Sequence, residues 1–108
     1  MPIKSVPQFA VIAATTLGDN TLVAAVAGKN IRVLSAVLIA SGGANTVRFE
    51  SDAAGTALSG LMDLAADGQL VLPLNGFGWL ETVAGELLNL ELSAATLVAG
   101  VLVYEEIE

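Results

Sequence analysis

Glycine interrupts this chain at positions 18, 28, 42, 43, 55, 60, 68, 76, 78, 85 and 100, so turn punctuation recurs about every ten residues, the spacing of an all-β sandwich or barrel. The neighbouring residues agree. Gly18-Asp19-Asn20, Gly28-Lys29-Asn30, Ser41-Gly42-Gly43, Asp67-Gly68 and Asn75-Gly76 all supply residues that tolerate positive φ, which tight hairpin turns demand.

Between these marks the sequence predicts strands near residues 8–15, 21–27, 31–40, 45–51, 56–64, 69–73, 86–93 and 97–105. Some alternate as half-buried strands do: Val47 and Phe49 oppose Arg48 and Glu50, and Leu88, Leu90 and Leu92 oppose Asn89 and Glu91. Leu58, Leu61, Met62 and Ala65 also match helical spacing, but the flanking glycines leave little room for a long helix and strand is the reading kept. The expected fold is therefore all-β, a jelly roll or related eight-stranded β-sandwich. It forms one domain over residues 1–108, with residues 1–7, which include Pro2 and Pro7, as a short N-terminal arm.

Several of these strands do not alternate at all. Thr21 to Ala27, Ile31 to Ala40 and Leu97 to Tyr104 are apolar almost throughout, whereas a lone sandwich keeps its outward positions polar. Leu34, Ala36 and Leu38 oppose Val33, Val37 and Ile39, and Val98, Leu102 and Tyr104 oppose Leu97, Val101 and Val103. Uncovered, these would form a patch larger than soluble monomers carry, so self-association is the economical account. The interface candidates are Val98, Leu102 and Tyr104, or the opposite face of that strand, together with Leu34 and Leu38.

Composition narrows the partners. The chain is 55% hydrophobic and carries a net charge of −7, which repels phosphate backbones and anionic lipid head groups, so neither nucleic acid nor membrane is expected to bind. No stretch approaches the ~18 apolar residues of a spanning helix, and a soluble protein is expected. With no cysteine and no histidine, the usual nucleophile triads and thiolate or imidazole metal sites are missing. Gly28-Lys29 and Gly76-x-Gly78 lack the remaining glycines of phosphate-binding loops and read as turns. Carboxylate pairs such as Glu50 with Asp52, or Asp63 with Asp67, raise the question of acid–base hydrolysis, but the chain lacks the aromatic-lined cleft that such chemistry uses. No catalytic residue, metal or cofactor is expected.

The run Asn75-Gly76-Phe77-Gly78-Trp79 is the one aromatic concentration. Phe77 and Trp79 are expected to plug one end of the core, and the competing use is as a rigid anchor for an interface or a sugar ring.

Gly55-Thr56-Ala57-Leu58, Leu72-Pro73, Gly78-Trp79-Leu80-Glu81-Thr82-Val83-Ala84-Gly85-Glu86 and Leu88-Asn89-Leu90, in that order, resemble segments of small head-decoration or cement proteins of tailed bacteriophages. The resemblance spans most of residues 8–106 and rests on structural turns. It implies a jelly-roll-like protomer, usually a trimer, that sits on the virion surface over the major capsid protein and stiffens the shell, with assembly in the host cytoplasm and no cofactor. The arm here is short for the N-terminal attachment such proteins often use. A carbohydrate- or receptor-binding module of a phage tail or fibre is the alternative, with Phe77 and Trp79 as its platform.

Overall fold

The computed structural model describes residues 6–108; of the expected arm, residues 1–5 lie outside the described part. Ten strands follow one another: β1 (Gln8–Ala14), β2 (Gly18–Val23), β3 (Asn30–Ile39), β4 (Asn45–Ser51), β5 (Thr56–Ala57), β6 (Met62–Leu64), β7 (Gln69–Leu72), β8 (Leu80–Glu81), β9 (Leu88–Leu92) and β10 (Val98–Ile107). No helix forms among the described residues. The strands make two antiparallel sheets packed as a sandwich. One runs β1-β10-β3-β7 with β8 also on β3, and the other runs β2-β9-β4-β5 with β6 also on β4.

The core is drawn from both sheets. Ile12, Ile31, Val33, Leu38, Val98 and Leu102 face inward from the first, and Val47, Phe49, Leu88, Leu90 and Leu92 from the second, all essentially without solvent contact. Each such side chain contributes about 1.5–3 kcal/mol through burial. Phe49 is the one aromatic buried to this degree, so the core is filled by aliphatic groups.

A bulge resolves how β3 changes sides. Ser35 pairs with Val103 and Val33 with Tyr104, which leaves Leu34 as the extra residue. Val33 and Ala36 thus both point into the core although three positions separate them. Leu34 is buried outside that cluster, and its carbonyl accepts the Asn75 N–H at 2.9 Å. Further up the sheet, β10 and β3 approach so closely at Gly100 that a Cβ there would collide with the Val37 carbonyl oxygen.

Ten strands stand where the sequence predicts eight: β8 lies in a stretch read as loop, and two further expectations change in detail. Gly18-Asp19-Asn20, expected as a turn, opens β2 instead, because Asn20 uses its side chain to close the preceding bend, donating Nδ2–H to Thr16 O at 2.8 Å. The strand expected over 56–64 is split into β5 and β6: the Leu58 N–H bonds Phe49 O, but the Phe49 N–H turns to the Ser59 hydroxyl at 3.0 Å, breaking the ladder before Gly60.

Candidate functional site

Residues directly paired across an antiparallel sheet project from the same face, so the register alone assembles the outer surface of the first sheet. Val11 pairs with Val101, Val101 with Val37, and Val37 with Val71, giving one row of valines across all four strands. Phe9, Val103 and Ser35 form the row on one side of it, and Ala13, Ala99, Ile39 and Gln69 the row on the other. Phe9 and Val11 are 80% and 82% exposed, Val71 56% and Val101 42%. No charged group occurs in these three rows. Beyond the Leu34 bulge the same face turns ionic: Arg32 lies between Glu81 and Glu105, with Nε 3.0 Å from Glu81 Oε1 and a guanidinium nitrogen 3.5 Å from Glu105 Oε1.

The second sheet presents an opposite chemistry. Asp19, Glu91 and Arg48 form one cross-strand row and Thr21, Asn89 and Glu50 the next. Arg48 binds Glu50 at 2.6 Å and Glu91 at 3.0 Å, while Asn89 donates to Glu50 at 2.9 Å and to Asp19 at 2.8 Å. Burial pushes the Glu50 carboxyl up, but Glu91, Arg48 and Asn89 as hydrogen-bond partners outweigh it and hold Glu50 below its ordinary value. Glu91 is raised, chiefly by the Glu50 carboxylate beside it. Every buried side-chain polar atom among the described residues has a partner, so this face is a finished structural network.

The interface candidates named from sequence fall elsewhere. Val98, Leu102 and Leu38 are wholly enclosed in the core, Tyr104 lines it, and Leu34 fills the bulge, so none of the five reaches the outer face. Burial foremost, with Glu106 adding to it, raises the Tyr104 phenol, which donates to Gln8 Oε1 at 3.2 Å. The opposite side of β10 carries Val101, which is exposed, and Val103, which is half-buried. Thr21 to Ala27 supplies no apolar strand face, since β2 ends at Val23, which is buried in the core, and the outward residues of β2 are Asp19 and Thr21. Phe9, Val11 and Val71 went unnamed although the alternation of Phe9, Val11 and Ala13 with Ala10, Ile12 and Ala14 makes β1 as two-faced as the strands that were singled out.

Phe77 does not plug the core; it is 92% exposed at the tip of a turn. Asn75 builds that turn, its side-chain oxygen accepting the Phe77 N–H and its carbonyl the Gly78 N–H. Gly78, at φ 86°, lets the backbone fold back over Arg32, where a Cβ would clash. Trp79 is half exposed, donates its indole N–H to Pro73 O at 2.7 Å, and walls a cleft of about 140 Å³ with Phe49, Leu58, Met62, Leu70, Leu72 and Leu80. The acidic pairs are committed to structure: Glu50 to its network, Asp63 to the Thr46 hydroxyl at 2.8 Å, and Asp52 and Asp67 to turns at φ 73° and 60°.

Compared with known proteins, the chain matches no family model, no curated protein and no solved structure.

Proposed function

We propose that this chain is a non-enzymatic structural protein: a jelly-roll protomer that self-associates and binds the outside of a phage capsid, over the major capsid protein, as the head-decoration proteins it resembles do. The observation that carries this reading is the uncharged outer face built from Val11, Val101, Val37 and Val71. With Phe9, 80% exposed on the same face as Val11, it leaves a contiguous uncharged apolar surface in water, the kind of patch that often marks an interaction site. The other sheet has spent its outward residues on an internal network, so the two faces divide between docking and solvation.

The jelly-roll reading is supported by the strand order. Counting β5 with β6 as one strand interrupted along β4, and β7 with β8 as one along β3, eight strands alternate between β1-β10-β3-β7 and β2-β9-β4-β5, with a single step inside one sheet.

The test is co-sedimentation with assembled heads of the phage that encodes the chain. The wild type is expected to pellet with them and raise their disruption temperature, and Val71→Lys with Val37→Lys to abolish both effects while leaving the protomer folded. Heads that ignore the wild type would reject the capsid reading. The exposed Phe77 favours a second reading, the receptor- or glycan-binding module; glycan-array binding lost in Phe77→Ala would select it.

A further inference from the structure

We infer that the free edge of β1 is a self-pairing edge, on which a second copy of this chain adds its own β1 antiparallel about a two-fold axis through Val11. This rests on the reading that the protein self-associates and specifies where. An edge strand offers an unpaired row of N–H and C=O groups, and proteins usually blunt such edges by shortness, charge, proline, a bulge or a covering loop. The other outer elements of the two sheets follow that rule: β5, β6, β7 and β8 are two to four residues long, and β2 carries Asp19 and a bulge at Leu22.

β1 uses none of these devices. Its seven residues, Gln8 to Ala14, contain no charge and no proline and pair with β10 without irregularity. Among the described residues no strand lies on its other side. A groove of about 380 Å³ runs beside that edge, lined by Val11, Ala13, Ala14 and Leu22 together with polar groups of β2 and the bend before it, so the edge is open.

The sequence of β1 is self-complementary about Val11. An antiparallel copy centred there sets Phe9 opposite Ala13 and Ala10 opposite Ile12, a large side chain against a small one at every flanking pair, with Val11 facing Val11. The pairing doubles the sheet and joins the two apolar faces side by side across the axis, where Val11 meets Val11 and Phe9 meets Ala13. Two negatively charged copies meet along an uncharged strand, which keeps their repulsion at a distance. The contact is a strand ladder with few side-chain pairs, at the low end of stable interfaces, below ~1,200 Å² in total. It makes a two-fold dimer that dissociates on dilution, in place of the trimer that the family resemblance implies.

The experiment uses the full chain, which has no cysteine. Light scattering across a dilution series is expected to give a dimer in equilibrium with monomer. Val11→Glu sets two carboxylates face to face and is expected to raise the dissociation constant by about a hundredfold or more. Val11→Cys puts two thiols at a Cα separation that opposed strands and disulfides share, and is expected to cross-link under mild oxidation. Val101→Cys, on the neighbouring strand of the same face, is expected not to do so. A monomer at every concentration, an oligomer that Val11→Glu leaves intact, or a dimer that Val11→Cys fails to lock would each overturn the proposal. Head binding is read separately by co-sedimentation of the wild type: a monomer that pellets with heads leaves the capsid reading standing, and a dimer that ignores heads leaves the edge pairing standing.

Discussion

Gly100 shows how a single residue sets the spacing of the first sheet. Its missing side chain lets β3 come within hydrogen-bonding reach of β10 where Val37 O would otherwise meet a methyl group. Gly100→Ala is expected to lower stability by ~1–3 kcal/mol or more, read as a shifted denaturant midpoint, because backbone must move to make room. Gly76→Ala is the control: nothing lies near its added methyl group and its φ is ordinary, so a change under about 0.5 kcal/mol is expected. Thr82 holds the far end of β3 in the same one-residue manner, its hydroxyl accepting the Ile31 N–H at 2.9 Å beside the core.

At the scale of elements, β10 separates what burial does from what a docking face does. Leu102→Ala removes a fully enclosed side chain and is expected to cost ~2–5 kcal/mol in chemical denaturation of the dilute protein. Val101→Thr, one residue earlier on the outer row, is expected to cost less than about 0.5 kcal/mol there. The β4–β9 pair carries a pH signature with two signs. As pH falls from neutral, the raised Glu91 takes a proton in the folded protein before it does in the unfolded chain, so stability rises. Below the ordinary carboxylate range the lowered Glu50 resists protonation in the fold while the unfolded chain accepts it, so stability falls. Denaturation midpoints from about pH 7 to about pH 3 are expected to pass through a mildly acidic maximum, and Glu91→Gln to remove the rise while keeping the fall. A profile unchanged by that substitution would mean the pair is not coupled.

The whole molecule is two-sided, with one sheet exposing aliphatic rows and the other carrying a satisfied polar network in which Glu50 and Asn89 are buried beneath Arg48, Glu91 and Asp19. If a second copy pairs along β1, melting temperature rises with protein concentration, since association stabilises the fold by mass action. A melting temperature constant over a hundredfold dilution would mean the protomer stands alone. Much of this was legible in the chain itself. Regular glycine punctuation specified an all-β fold, and the polar alternation of Arg48, Glu50, Asn89 and Glu91 told β4 and β9 which way to face. Exposure of Phe77 was not legible, because the same Phe-Gly-Trp run serves a core plug or a turn tip until the Asn75 turn positions it. Nor was the docking face. In β1, β3 and β10 both sides are apolar, so alternation has a period but no sign, and five enclosed residues were as good candidates as Phe9, Val11 and Val71. Only pairing between strands distant in sequence, with the Leu34 bulge that shifts β3 by one residue, decided which set meets the core and which is left outside it.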